Sequence, residues 1–268
     1  MSTRVFPAET TASAAAAACL VLLLVTALAA PLDNRMLAGA GIWAKPMKFA
    51  FSLAVHMATL LWLATLLDVR ARNGLWARVA LVSASCAALI EIMYIALQAA
   101  RGRASHFNSQ TPLEAFMYYN VMGPGAVILV AAAFVLGVLI LRSGRPALGP
   151  GVKWGAAIGA ILGSAGTLLV AGVMSTGAID GPGHWVGGLR TDAHGLPLFG
   201  WATKGGDLRV PHFFATHLMQ ALPVVGFLAD RSNVPWPRTV VVAAAIGGIA
   251  VVALTFIQAL AGRPLIGI

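Results

Sequence analysis

Apolar positions run together along almost the whole chain instead of alternating. Seven stretches, at about 12–30, 46–67, 78–100, 113–141, 153–174, 211–228 and 237–260, carry few charges over 18 or more residues. That is the length a helix needs to cross a hydrocarbon layer of about 30 Å. Within lipid every backbone N–H and C=O must be satisfied inside its own segment, so such runs are helices. The pattern predicts an all-α fold: a polytopic helical membrane bundle of about seven transmembrane helices, forming a single integral membrane domain over residues 1–268. The longest polar break, 177–209, is a glycine-rich loop holding nine glycines together with His184, Trp185, His194 and Trp201. Loops of that length in a compact bundle serve as lids or binding loops. The first run has a second reading, a cleaved signal peptide ending near Ala27-Leu28-Ala29. Its one basic residue, Arg4, is offset by Glu9, which favours a retained span.

The polar residues inside these spans are few and regularly spaced. Lys48, Ser52 and His56 recur every four residues on the second span, so they share one helix face. Lys48 reads as an interfacial snorkeller, whereas His56 lies roughly 15 Å beyond Pro46. On the third span Glu91, Tyr94, Gln98 and Arg101 form a second stripe, with Glu91 again about 15 Å deep. Thr111, Pro112 and Glu114 supply helix-start chemistry for the fourth span, and Glu114 shares a face with Tyr118. Gly123-Pro124-Gly125 is expected to bend that helix. Gly155, Gly159 and Gly163, four apart on the fifth span, predict close helix packing without a ligand. The sixth span opens with Gly206-Asp207-Leu208-Arg209-Val210-Pro211-His212 and continues through His217 and Gln220. Ionisable groups at such depths cost several kcal/mol unless paired or used, so these positions are the candidate site.

Composition agrees and removes other classes. The chain is 59% hydrophobic and 10% charged, with mean hydropathy +0.84, far from a soluble domain. Its net charge of +9 comes from basic residues scattered over loop ends, not from a basic run interleaved with aromatics, so nucleic acid is not a partner. Cys19 and Cys86 lie in apolar runs without a CxxC or CxxCH motif and read as small hydrophobes. Alternating spans place nine Lys or Arg on each side. The short connectors 68–78, 142–153 and 230–238 favour a cytoplasmic N-terminus, in a bacterial inner membrane.

Alternation of the spans also puts His56, Glu91, Gln98, His212, His217 and Gln220 in the half facing the long loop, so stripes from spans two, three, four and six can meet there. Three chemistries use that set. Haem b, or another redox cofactor, would take His56 and His217 as axial ligands, with Lys45, Lys48, Arg101 and Arg103 as a basic rim for the propionates. A metal-dependent membrane enzyme would use His56, Glu91, His212 and His217 on zinc, iron or copper. An ion or small-solute transporter would use Glu91 and the histidines as a proton relay. His106, Tyr94, Gln98, Glu114 and Gln220 complete the pocket in each case. Partners then include the bilayer and either an electron-transfer partner or a small-molecule ligand. An assembly protein with a structural polar core is the remaining class. A lysine Schiff base finds no lysine in the seventh span, and no nucleophile elbow supports a serine hydrolase.

The segments WAKPMKF (43–49), ARGRASHFN (100–108) and GWATKGGDLRVPHFFATHLMQ (200–220) resemble a group of uncharacterised bacterial integral membrane proteins. The resemblance covers most of the chain after the first helix and implies a seven-helix membrane protein. It assigns no site residue and no activity.

Overall fold

A computed structural model of the chain describes residues 6–177, 179–181 and 183–267; Arg4 lies outside them. Seven helices are long and apolar enough to cross a membrane: Pro7–Leu32, Ala44–Thr65, Leu75–Ala100, Pro112–Ser143, Pro150–Thr176, Arg209–Arg231 and Pro237–Leu260. Each overlaps one of the seven expected runs, and the chain is a multi-pass helical membrane protein. It folds as two compact units, residues 1–146 and 147–268.

The first unit contains α1 (Pro7–Ala29), α2 (Ala44–Thr65), α3 (Val69–Arg72), α4 (Leu75–Ala100), α5 (Pro112–Phe116) and α6 (Gly123–Ser143). α1 packs on α2 and α4, and α4 packs on α6. Small residues make this possible: Ala12, Ala15 and Cys19 on α1, and Ala77, Ala84 and Ala88 on α4, are buried. Lipid offers no hydrophobic drive between helices, so close van der Waals contact along small side chains holds them. The opposite face of α1, with Leu20, Leu24 and Leu28, is exposed and suits lipid. Between α1 and α2 the chain forms a hairpin of two short strands, β1 (Met36–Leu37) and β2 (Ala40–Gly41), which the hydrophobic pattern did not predict. Its turn residues Ala38 and Gly39 both take positive φ, as a tight two-residue turn requires.

The expected bend at Gly123-Pro124-Gly125 takes a different form. The fourth span runs from Pro112 to Ser143, and its irregularity is a π-helical turn over Met117–Met122, ahead of the proline. The Pro124 ring cannot donate and crowds the preceding turn; a wider turn relieves both problems without breaking the helix. Gly123 N–H accordingly bonds Tyr118 O, five residues back.

The second unit contains α7 (Pro150–Thr176), β3 (Trp185–Val186), β4 (Gly206–Asp207), α8 (Arg209–Arg231) and α9 (Pro237–Leu260). α7 lies flush against α8. A Cβ at Gly159 would stand 2.6 Å from Leu218 O, and one at Gly163 3.2 Å from Ala215 O. Gly155 meets Leu222 O, and Gly151 and Gly226 meet each other's carbonyl oxygens. The glycine spacing is therefore a packing seam, as expected. Asp230, at the far end of α8, locks it by accepting the Gly151 and Val152 N–H groups at 2.8 Å each, which caps the start of α7.

Gly226→Val places side-chain atoms where the α7 backbone lies and should lower stability by about 2–3 kcal/mol, whereas Gly247→Ala, with nothing within 4 Å, should leave it unchanged or slightly raised. Thermal unfolding of the two variants in detergent separates them.

Candidate functional site

Most polar groups of the first unit find partners close at hand. His56, the histidine of α2, has its Nε2 3.0 Å from the backbone oxygen of Leu129 on α6. That nitrogen, the usual one to meet haem iron, is engaged by a backbone carbonyl. The stripe on α4 divides in two. Its outer part, Gln98 and Arg101, belongs to a saturated network around Glu114. Arg103 grips the Glu114 carboxylate with both arms, Nε to Oε1 at 2.7 Å and Nη2 to Oε2 at 2.9 Å. Gln98 Nε2 donates to Glu114 Oε1 at 3.1 Å, and Arg101 donates to Gln98 Oε1 at 2.8 Å. Thr111 caps the helix by accepting the Glu114 N–H and donating to Glu114 Oε2. A bidentate arginine–carboxylate pair is among the strongest polar contacts available. Arg103 thus holds a carboxylate of its own chain in place of the propionate expected of it. Tyr94 is partly buried on the same face of α4.

The inner part of the stripe is Glu91, 3% exposed. Its Oε1 is buried without a hydrogen-bond partner. Its Oε2 is 4.0 Å from His106 Nε2, a histidine carried by the loop after α4. Gly125 makes room for the carboxyl: a Cβ there would stand 2.8 Å from Glu91 Oε1. The proline-adjacent glycine that looked like a bend is a seat for an acid. Lys45 acts on Glu91 through its charge and lies 5.6 Å over the Phe49 ring, so the lysine expected on the rim reaches into this cluster. Phe49, Phe107 and Tyr118 surround His106, with ring centroids 5.3, 6.3 and 6.3 Å away. Tyr118 belongs to the π-helical turn, so that irregularity borders the site. Such turns recur at functional sites.

Burial, followed by the Lys45 charge, holds the His106 imidazole well below its ordinary range. At neutral pH it is uncharged, with one nitrogen a donor and the other an acceptor. Ser105 Oγ lies 3.1 Å from Nδ1 and, as a hydroxyl, can serve either tautomer. The 4.0 Å gap to Glu91 is too long for a direct hydrogen bond. A proton crosses a gap of that size by way of a bridging group such as one water.

The second unit holds the other histidines. His217 Nδ1 pairs with Gln220 Oε1 at 3.2 Å on the same helix, and its ring lies 4.2 Å from that of Phe213. His212 Nδ1 is buried without a hydrogen-bond partner. Among the described residues, no group of three or more His, Cys, Asp or Glu side chains is placed to hold a metal ion. Lys48 stays at the surface of α2.

At the mouth of α8, Asp207 is the hub of the long loop, a role its place in the sequence only hinted at. It accepts Ala202 N–H at 2.9 Å, Arg209 N–H at 2.9 Å and Arg209 Nη2 at 2.7 Å. Arg209 also holds Asp192 and Gly200 O, so one arginine ties three parts of the loop to the helix. His184 Nδ1 is 3.4 Å from Asp207 Oδ1 without an aligned hydrogen bond. Burial pushes the Asp207 carboxyl up, but the His184 contact and the Arg209 bonds outweigh it and hold it well below the usual carboxylate range. Burial lowers His184, and its Asp207 contact only partly restores it. This cluster is a clasp. Sequence reading missed it because His184 and Asp207 are brought together by the β3–β4 pair, Trp185 opposite Asp207.

No family model, curated protein or solved structure matches this chain.

Both clasp groups are depressed in the folded loop, so each contributes stability above its ordinary range and loses it as pH falls. For His184 the loss begins near its free value of about 6.5. Acrylamide quenching of Trp185 fluorescence should rise between about pH 7.5 and about pH 5, and His184→Gln should flatten that rise. Equal quenching at both pH values in the wild type contradicts the clasp.

Proposed function

We propose that the first unit is a proton-handling site within the membrane, and that the protein moves protons, alone or coupled to a small solute, by way of Glu91 and His106. One observation carries the reading. Among the described residues four acidic side chains are buried, Glu9, Glu91, Glu114 and Asp207, and three of them are neutralised by arginines: Arg72, Arg103 and Arg209. Glu91 has no arginine, only the charge of Lys45 nearby, and keeps an oxygen with no hydrogen-bond partner. A purely structural acid at that depth would be expected to have the partners its three counterparts have. A group that must take up and release a proton needs an unsaturated oxygen and a nearby exchange partner, and His106 supplies the second.

The relay is short. His106 sits on the loop that leaves the bundle after α4, so it links the loop side to Glu91. The neutral imidazole accepts a proton on one nitrogen and passes another from the opposite nitrogen, and Glu91 receives it. Phe49, Phe107 and Tyr118 pack around His106, whose side chain keeps 20% exposure, so the histidine can exchange protons with the loop side while its other face meets Glu91. The haem b and metal readings draw less support, since His56 Nε2 meets a backbone carbonyl and Arg103 meets Glu114. A bacterial inner membrane with a cytoplasmic N-terminus remains the proposed setting, resting on the connector charges alone.

The test is proton flux into liposomes holding the purified protein and an enclosed pH dye, driven by a potassium diffusion potential. Glu91→Gln keeps shape and should cut flux by roughly tenfold or more, since loss of a proton-transfer group commonly costs about 10²-fold. His106→Gln should slow it comparably, while Glu91→Asp should restore part of it. Wild-type flux no greater than that of empty liposomes, or equal flux in Glu91→Gln, overturns the reading.

A further inference from the structure

At the other end of the first unit, where α1 and α4 both begin, a cavity of about 160 Å³ is lined by Phe6, Pro7, Ala8, Glu9, Arg72, Asn73, Arg78 and Leu81. Water in the liquid occupies about 30 Å³, so a tetrahedral oxyanion has room there. We propose that this cavity binds the phosphodiester headgroup of an anionic phospholipid. It takes no part in the proton site.

Charge, depth and shape support that occupant. Glu9 and Arg72 form a closed ion pair, Nε to Oε1 and Nη2 to Oε2, with Arg72 also lying 5.2 Å over the Phe6 ring. Asn73 Nδ2 is committed to Val69 O. Glu9 and Arg72 cancel, which leaves Arg78 as the net charge of the lining. Arg78 is exposed, and its guanidinium has no hydrogen bond or ion pair among the described residues. An arginine at a cavity wall with its donors unspent is suited to a phosphate, which accepts its forked N–H groups. Depth fixes the kind of phosphate. Pro7 and Leu75 open two spans here, so the cavity lies at the level where helices enter the bilayer. Leu75 and Trp76, just before Arg78, are 69% and 65% exposed. Exposed tryptophan and leucine beside arginine mark headgroup level. The remaining walls, Phe6, Pro7, Ala8 and Leu81, are apolar and suit the start of an acyl chain. Basic pockets between transmembrane helices hold acidic headgroups in this way.

Native mass spectrometry of the purified full chain tests it, with phosphatidylglycerol, phosphatidylcholine or inorganic phosphate added in turn. Phosphatidylglycerol should be retained in preference to phosphatidylcholine, and Arg78→Gln should weaken that retention roughly tenfold. Arg78→Lys, which keeps the charge and loses the fork, should fall between wild type and Arg78→Gln. Arg70→Gln, an exposed arginine off the cavity, should behave as wild type. Equal retention of phosphatidylglycerol by wild type and Arg78→Gln overturns the site. Displacement of the lipid by inorganic phosphate at comparable concentration assigns it to free phosphate instead and overturns the lipid. Proton flux is a separate readout, so either proposal can fail without the other.

Discussion

An ionised carboxylate buried among apolar helices is untenable without a partner, and this constraint organises the protein's polar interior. Glu9 meets Arg72 across 63 residues, Glu114 meets Arg103, and Asp207 meets Arg209. Each pair also fixes an element. The first ties α1 to the connector ahead of α4, the second closes the loop before α5, and the third clasps the long loop onto α8. Glu91 is the exception, and its surroundings are shaped to it: Gly125 leaves space for its oxygen, and the π-helical turn brings Tyr118 to the histidine beside it. A chain that pairs its other buried acids and leaves one with a bare oxygen has reason to keep that one reactive.

The histidines divide by the same rule. His56 is satisfied by a carbonyl on α6, which joins two helices, and His217 by a glutamine on its own helix. His184 belongs to the loop clasp. His106 sits against an incompletely bonded acid, on the loop after α4 and beside three aromatic rings. The helix seams carry none of this chemistry. α7 and α8 meet through glycines and a capping aspartate.

The seven spans were legible because 18 or more apolar residues in a row have few other physical meanings, and the depth of Glu91 followed from counting helix rise. The glycine seam on α7 was legible for the same reason, since its four-residue period places every glycine on one face. Partner choice was not. Whether His56 faces an iron or the Leu129 carbonyl depends on how α2 and α6 are rotated, and periodicity within one helix carries no information about that. Glu9 read as a local offset to Arg4 because its actual partner is 63 residues away. Gly125 read as a bend because its neighbour Glu91 lies on another helix. His106 was placed in the pocket only as a bystander, for the contact that matters joins a loop to a helix interior.

The central claim is that Glu91 exchanges a proton while the other buried acids stay fixed. Infrared difference spectroscopy of the protein in lipid, recorded across a pH titration, reads carboxyl protonation directly through the C=O stretch. A reversible carboxyl band that is present in the wild type and missing in Glu91→Gln is the predicted result. A titration with no such band, or one whose band survives in Glu91→Gln, would contradict the account.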